Sequence, residues 1–269
     1  MKYCIAIGKN TSMFTPLLLA GNVTANLITA GEMGFDGVEI QGFDAEELDF
    51  DQIKQVCREH SLIISTLGTG GIYGKYGLSL TDPDEERSSR VIQLVKDYID
   101  VAKKLGSCVT VGSIKGNIKK DEDRPVYLDI LGRNLQKIAS YAEKQKVTLL
   151  LEATNRLENN VLNTAKETRE IIERYELKNT KILLDSFHVN IEEQDISKSI
   201  SDAGEHLGYV HFGDNNRWYP GAGCFRFHEF NEAIVRSGYD GVLSAECFPR
   251  PDGLTAAKRT YEFFVSHFG

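Results

Sequence analysis

The chain has 269 residues and a formal net charge of −8, with 39 acidic against 31 basic side chains. Hydrophobic residues make up 41% of it and charged residues 26%, values typical of a globular protein that exclude disordered, collagen-like and membrane-spanning classes. The acidic balance argues against a nucleic-acid-binding protein, whose affinity depends on cationic groups, and it offers no attraction to an anionic membrane.

The cysteines are scattered and odd in number: Cys4, Cys57, Cys108, Cys224 and Cys247. Because no C-x-x-C pair occurs, the sequence contains neither a zinc-ribbon nor a thioredoxin-type motif. Free thiols fit a reducing cytosol. The apolar run at the start of the chain is too short for a signal peptide, and no window approaches the roughly 18 apolar residues of a membrane helix. We therefore expect a cytoplasmic protein.

Short apolar runs alternate with longer segments of helical periodicity along the chain. The runs lie near Tyr3–Ile7, Gly37–Ile40, Leu62–Thr66, Cys108–Val111, Val147–Leu151, Lys181–Leu184, Gly208–Val210 and Gly241–Ala245. Several are continuously apolar, as are strands buried on both faces of a parallel sheet. Eight strand–helix units predict an α/β fold, a single (β/α)8 TIM-barrel domain over residues 1–269. A doubly wound open sheet is the alternative, but Gly8-Lys9-Asn10-Thr11 does not fit its glycine fingerprint.

The clearest helix is predicted over Arg87–Leu105, where apolar residues recur at helical spacing. Asp82-Pro83 just before it is typical of a helix start, since proline is tolerated in a first turn. Gly106 stands where such a helix would end.

Four successive predicted strands end in polar residues that can bind a metal ion. They are Glu152, Asp185, His211 and Glu246, each separated from the next by about one β/α unit. The carboxyl ends of the strands of a barrel form one rim, so these side chains are expected to converge. Three carboxylates without a cation would repel one another, and a divalent ion removes that repulsion. Mostly carboxylate ligands suit Mn²⁺, Mg²⁺ or Co²⁺ better than a structural zinc.

A second set of polar residues follows these strand ends at loop distance. Glu158 comes six residues after Glu152, His188 three after Asp185, and Arg217 six after His211. They are placed to meet the other oxygens of a substrate. Two alternatives are an Arg217–Asp214 ion pair and a structural role for Glu158 as an acid in a first helical turn.

Several motifs together resemble the xylose-isomerase-like barrel family of sugar isomerases and epimerases. They are GFDGVEI (34–40), LLLEATNR (149–156), LLDSFHVNIEE (183–193), HFGDNNRWYPGAG (211–223) and LSAEC (243–247). The chain is most similar to the ketose 3-epimerase branch, which includes D-tagatose and D-psicose 3-epimerases. The segments LGTGGIYGKYGLSLTDPDEERS and VGSIKG also resemble the epimerase that acts on 5-keto-L-gluconate.

The resemblance implies an isomerase that epimerises a ketose or keto-sugar acid at C3 through a cis-enediolate. It implies that the metal, Mn²⁺ first with Mg²⁺ or Co²⁺ as alternatives, is held by Glu152, Asp185, His211 and Glu246. Glu152 and Glu246 would be the two catalytic acid–base groups. Substrate would be bound by Glu158, His188 and Arg217. It further implies a small-molecule sugar substrate and a homo-oligomer, either a dimer or a tetramer.

Other features of the sequence are less specific. The glycine-rich stretch 68–77 is expected to be a flexible loop over the site, with a phosphate-binding loop as the alternative. Trp218 is expected to line the pocket, and Cys247 to point into the helix layer. Candidate partners for an anionic substrate are Lys75, Lys115 and Arg250.

Three other functions stay open at this stage. An aldose–ketose isomerase would use the same metal and acids on different carbons. An AP endonuclease shares the fold but needs extra histidines on early strands, where this chain has EIQG, STLG and TVGS. A sugar-binding protein without turnover would have no reason to keep both glutamates. The first four loops, including GSIKGN after the fourth strand, differ from the family pattern, and this bears on the substrate.

Overall fold

The computed structural model describes residues 1–9, 12–43, 47–119 and 123–269. Within them, eight parallel strands form a closed barrel in chain order: β1 Lys2–Gly8, β2 Gly37–Gln41, β3 Ile63–Gly68, β4 Cys108–Val111, β5 Leu149–Glu152, β6 Thr180–Asp185, β7 Leu207–Phe212 and β8 Val242–Ala245. β8 pairs with β1 through Cys4 and Ser244, which closes the ring. The predicted (β/α)8 barrel is confirmed, and the open sheet is excluded. Asn10 and Thr11, which the fingerprint comparison used, lie outside the described residues.

Helices surround the barrel. They are α1 Val23–Glu32, α2 Phe50–Glu59, α3 Gly70–Tyr76, α4 Glu85–Leu105, α5 Arg124–Gln145, α6 Ala165–Arg174, α7 Ser186–Glu192, α8 Ile196–Ala203, α9 Phe227–Arg236 and α10 Gly253–Phe268. Short 3-10 turns occupy Ser113–Lys115 and Gly204–His206, and a two-residue strand, Leu19–Ala20, lies beside β1. None of the helices in the described part of the chain is long and apolar enough to cross a membrane.

The predicted helix over Arg87–Leu105 is confirmed as α4, which begins two residues earlier. The Asp84 side chain caps its first turn by accepting from the Arg87 amide at 2.8 Å. Gly106 ends it in the left-handed conformation, with φ +70°. The predicted stop at Gly106 is therefore confirmed, whereas the start is capped by Asp84, and Pro83 lies before the helix rather than in its first turn.

Alternation along the strands explains how the barrel carries polar groups at one end. The interior holds a small apolar cluster formed by Leu150, Leu183 and Tyr209, separate from the main core between sheet and helices. Because strand side chains alternate between faces, the residue two positions further on points into the same interior. Glu152, Asp185 and His211 therefore form the next layer towards the carboxyl end.

The expectation of a flexible loop at 68–77 was wrong. Gly70–Tyr76 forms α3, which ends at Gly77 with φ +59°. The Thr69 hydroxyl donates to the Thr110 carbonyl at 2.7 Å, so the start of this segment is attached to β4. A side chain at Gly70 would crowd Ser113 Oγ, so this glycine allows a close approach of the two segments.

The cap of α4 gives a first testable prediction. Asp84→Ala removes the acceptor for the Arg87 amide and should lower the free energy of unfolding by about 1 kcal/mol. Asp84→Ser keeps a capping oxygen and should stay close to wild type. Urea unfolding followed by circular dichroism measures both, and equal losses in the two variants would show that the cap has no energetic role.

Candidate metal centre and active site

The barrel register brings the four predicted metal ligands together. Asp185 and His211 are paired residues of β6 and β7, Glu152 ends β5, and Glu246 follows β8 directly. One ligand atom from each residue lies within 4.8 Å of all the others, and all four side chains are buried. These residues could hold a metal ion.

Unpaired polar atoms show what the cluster lacks. Glu152 Oε1, Asp185 Oδ2 and His211 Nδ1 are buried, and none has a hydrogen-bond partner among the described residues. Buried polar groups are nearly always paired, so three orphan atoms in one place require an explanation. All three belong to the predicted ligand set, and all three are lone-pair donors when the carboxyls are ionised and His211 is not protonated at Nδ1. The residues therefore fit a divalent cation.

The separations within the cluster point the same way. His211 Nδ1 lies 3.7 Å from Glu152 Oε1 and 4.0 Å from Glu246 Oε2. These distances are too long for hydrogen bonds. They are short enough for the atoms to share one cation that lies about 2.0–2.6 Å from each ligand. Asp185 uses its other oxygen to accept from the Phe187 amide at 2.9 Å, which fixes the direction of Oδ2.

The pKa values of the clustered acids are shifted by burial and by neighbouring charges. Burial raises the pKa of Glu152, and that of Asp185 to about 7, against the opposing effect of nearby cationic groups. Burial would also raise the pKa of Glu246, but Arg217 and His211 outweigh it and the net shift is downward. A bound cation would favour all three ionised forms.

Arg217 holds two carboxylates at once. Its Nη1 donates to Glu158 Oε1 and its Nη2 to Glu246 Oε2, both at 2.6 Å. The alternative of an ion pair with Asp214 was therefore wrong. The Asp214 carboxylate instead accepts hydrogen bonds from backbone amides of its own loop, including those of Gly221 and Gly223. These bonds shape the loop that carries Arg217.

His188 lies inside the site as a neutral donor. Asn155 Nδ2 can only donate, and it lies 2.6 Å from His188 Nδ1. Nδ1 is therefore the acceptor, and the ring proton is on Nε2. That Nε2 lies 3.7 Å from Glu152 Oε1 and 3.9 Å from Asp185 Oδ2. Burial lowers the pKa of His188 well below its ordinary value, so the ring is uncharged.

A cavity of about 370 Å³ opens onto this group of residues. Its lining includes Glu152, Glu158, His188, Arg217 and Glu246, together with the aromatic side chains of Phe14 and Phe248. The structure thus places the predicted acid–base pair and the predicted substrate-binding residues around one cavity. Asp185 and His211 lie beneath it.

Four residues proposed around the substrate lie elsewhere. Trp218, Lys75, Lys115 and Arg250 are not among the described lining residues. Trp218 is half-buried, and its backbone bonds within its own loop. Lys75 lies over the Tyr76 ring and Arg250 over the Phe14 ring. Lys115 is fully buried, its Nζ donates to the Glu152 carbonyl and to Thr154 Oγ1, and burial lowers its pKa to about 8.

The prediction for Cys247 is confirmed. This residue directly follows Glu246, and it is fully buried within the core cluster between sheet and helices. Alternation of side chains beyond β8 therefore sends the glutamate into the cavity and the thiol away from it.

Sequence reasoning missed Glu39, Gln41 and Gly112. Gln41 Nε2 donates to Glu246 Oε1 at 2.7 Å and to Glu39 Oε1 at 2.6 Å, so it links β2 to the site. A glutamate within the apolar run GFDGVEI was the available signal, because a charged residue in a buried strand needs a partner. For Gly112 the sequence offered no signal beyond a glycine at a strand end.

Comparison with known proteins identifies the family. The family model described as "Xylose isomerase-like TIM barrel" matches residues 28–266. The chain belongs to this family. A ketose 3-epimerase of Arthrobacter globiformis is 32% identical over 219 residues, covering 81% of this chain and 74% of that protein. A 3-dehydro-D-guloside 4-epimerase of Escherichia coli K12 is 28% identical over 252 residues, covering 89% and 91%.

A solved structure agrees with the barrel. The D-allulose 3-epimerase of Methylomonas sp., solved with D-allulose, superposes with a TM-score of 0.85 and 24% identity, covering 100% of this chain and 97% of that one. At this identity the likeness establishes the fold alone. The curated relatives are sugar epimerases, so the predicted family and the predicted enzyme class, an isomerase acting on carbohydrates, are confirmed.

The site also argues against the AP-endonuclease alternative. Among the described residues, the group able to hold a metal contains a single histidine, His211. The ends of β2, β3 and β4 contribute Gln41, Gly68 and Gly112 to the cavity instead of the extra histidines that a zinc cluster would need.

The tight fit at Gly112 gives a second prediction. A methyl group there would overlap Glu152 Oε2, whose backbone is fixed in β5. Gly112→Ala should therefore displace this carboxylate and weaken Mn²⁺ binding by about 10-fold or more. Gly74→Ala is the matched control, because nothing lies within 4 Å of its added methyl group. Mn²⁺ titration followed by electron paramagnetic resonance measures both, and equal affinities would contradict the prediction.

Proposed function

We propose that this protein is a metal-dependent epimerase that inverts a carbon next to the carbonyl of a ketose or keto-sugar acid, C3 in the first instance. The observation that carries the proposal is the buried cluster of three carboxylates and one imidazole, with three orphan ligand atoms, at the base of a cavity. Mn²⁺ is the proposed metal, with Mg²⁺ or Co²⁺ as alternatives.

The proposed ligands are Glu152, Asp185, His211 and Glu246. A divalent ion held there would act as a Lewis acid on a carbonyl oxygen, an effect worth several kcal/mol in the transition state. The chain supplies the geometry for this: Asp185 is fixed by the Phe187 amide, and His211 by a contact at its other ring nitrogen.

The proposed acid–base pair is Glu152 and Glu246, which come from β5 and β8 and both line the cavity. The ionised carboxylate of one glutamate removes the proton from the carbon next to the ketone, and the other glutamate, in its protonated form, donates a proton to the opposite face of the resulting cis-enediolate. The two exchange roles with the direction of the reaction. Each positioned group is expected to contribute about 10²–10⁴-fold.

The remaining cavity residues are proposed to bind and orient the sugar. His188 carries its proton on Nε2 and can donate it to an enediolate oxygen, a charge-stabilising role. Arg217 can donate to the same region while it keeps Glu246 in place, and Glu158 can accept from a substrate hydroxyl. In the described structure Glu158 is 40% exposed at its side chain, whereas that of Arg217 is 9% exposed, so Glu158 is the more accessible of the two.

The charge of the cavity favours an uncharged ketose within the proposed substrate class. Arg217 is the one lysine or arginine among the described lining residues, and both of its ends are engaged by carboxylates. Lys115, which is fully buried, donates to the Glu152 carbonyl. A phosphate or carboxylate on the substrate would therefore meet more acidic than basic groups.

Proton exchange in D₂O tests the reaction itself. With Mn²⁺ and a panel of D-fructose, D-tagatose, D-psicose and keto-gluconates, NMR should show deuterium entering the carbon next to the ketone as the epimer accumulates. Glu152→Gln and Glu246→Gln should each lower this exchange by about 10²–10⁴-fold. Glu262→Gln, a change on the outer helix α10, should not.

The products separate the remaining alternatives. Label that enters an aldose would replace epimerisation with aldose–ketose isomerisation, and inversion at the next carbon would match the reaction named for the 4-epimerase relative. Sugar binding without exchange in wild type would support a binding protein. Full exchange in both Glu→Gln variants would contradict the assigned acid–base pair.

Metal removal tests the centre independently of turnover. Mn²⁺ at about 100 times its dissociation constant should stabilise the metal-free protein by about 2.7 kcal/mol, because only the folded chain presents the four ligands together. Thermal unfolding after dialysis against EDTA, with and without Mn²⁺, measures the shift. Asp185→Asn should abolish most of it, and an equal shift in this variant would contradict the assigned ligands.

Three further properties remain predictions. We propose that residues 1–269 work as one barrel domain, that the protein is cytoplasmic, and that it assembles as a homo-oligomer, a dimer or a tetramer. Size-exclusion chromatography with light scattering measures the last of these directly.

A further inference from the structure

A fully buried carboxylate lies directly under the proposed metal centre and has no role in the proposed reaction. Glu39 is in β2, which lies between β1 and β3 in the barrel, and its exposed fraction is 0%. An isolated ionised carboxylate would be costly at this position, so its partners define what it does.

The partners of Glu39 Oε2 come from β7 and β8. His211 Nε2 lies 2.7 Å away, Ser244 Oγ 3.1 Å and the Tyr209 hydroxyl 3.2 Å. An ionised carboxylate only accepts, so the His211 proton on this side is carried by Nε2. The other ring nitrogen, Nδ1, is the one that faces the ligand cluster without a partner.

The other oxygen of Glu39 reaches a second ligand indirectly. Glu39 Oε1 accepts from Gln41 Nε2 at 2.6 Å, and the same Nε2 donates to Glu246 Oε1 at 2.7 Å. The Gln41 amide is thus held between two carboxylates with its nitrogen facing both. A single buried residue is therefore connected to His211 directly and to Glu246 through one side chain.

We propose that Glu39 is a positioning residue that presents His211 Nδ1 to the divalent cation and, through Gln41, fixes the orientation of Glu246. This inference rests on the proposed metal centre. Carboxylates that accept from a ligating histidine set its tautomer and ring orientation, and their loss typically costs about 10–100-fold in metal affinity.

Glu39→Gln is the informative substitution because it replaces one acceptor oxygen with an NH₂ donor. Both oxygens of Glu39 already face donors, His211 Nε2 on one side and Gln41 Nε2 on the other. If the new NH₂ faces His211, the contact to Nε2–H is lost. If it faces Gln41, that side chain must turn its oxygen towards Glu246. Mn²⁺ affinity, measured from the free-ion signal in electron paramagnetic resonance, should therefore fall by about 10–100-fold.

Tyr209→Phe is the matched control. It also removes a buried hydrogen-bond partner of Glu39, but it leaves the charge and the His211 contact in place, so its Mn²⁺ affinity should stay within about 3-fold of wild type, well under the change typical of a lost histidine partner. The visible absorption of the Co²⁺-loaded proteins gives a second readout. Its bands should shift in Glu39→Gln and not in Tyr209→Phe, since they report the ligand set rather than the stability of the fold.

A measurement on the unaltered chain keeps the inference testable even if Glu39→Gln does not fold. In the Mg²⁺-loaded wild type, long-range ¹⁵N–¹H correlation should show the His211 proton on Nε2. A proton on Nδ1, or wild-type Mn²⁺ affinity and Co²⁺ bands in a folded Glu39→Gln, would overturn the inference. If wild type itself bound no Mn²⁺, the metal-centre proposal would fail instead, and the two failures are thereby distinguished.

Discussion

The repulsion among three buried carboxylates is the constraint that organises this structure. Glu152, Asp185 and Glu246 converge with His211 at the carboxyl end of the barrel, within 4.8 Å and away from water. Burial raises the pKa of Glu152 and of Asp185, and the neighbouring carboxylates add a smaller upward contribution. Arg217 and His211 offset part of this repulsion, and a divalent cation would complete the site.

The way in which the groups are held gives each a different character. Glu246 accepts from Gln41 on one oxygen and from Arg217 on the other, so it is kept ionised. Glu152 is buried and lacks a hydrogen-bond partner at Oε1 among the described residues. The barrel thus places two similar carboxylates across one cavity in unlike environments, which is a common arrangement in acid–base chemistry.

The fold could be predicted from the sequence because its signals are local. Continuous apolar runs specify buried strands, and Gly106 marks the end of α4. The four ligands could be predicted because each lies at or next to the carboxyl end of a strand, and these ends of a barrel meet by topology. Asp185 and His211, which are 26 residues apart in the sequence, are paired across adjacent strands β6 and β7.

What the sequence could not reveal depends on side-chain contacts between distant segments. Glu39 and Glu246 are 207 positions apart in chain number and are joined by Gln41. Lys115 is buried in a 3-10 turn that no periodicity in the sequence indicates. Arg217 pairs with Glu158 rather than with its neighbour Asp214, because the Asp214 carboxylate already accepts hydrogen bonds from loop amides. The glycines of α3 favoured a loop, because glycine has a low helix propensity. The segment is nevertheless a helix, and its first residue, Gly70, lies close to Ser113.

The most direct test of the account is to locate a metal by anomalous diffraction from crystals soaked in Mn²⁺. We expect a single strong peak within about 2.0–2.6 Å of ligand atoms from Glu152, Asp185, His211 and Glu246. A peak elsewhere, or none at this cluster at saturating Mn²⁺, would contradict the claim that one divalent cation completes the site.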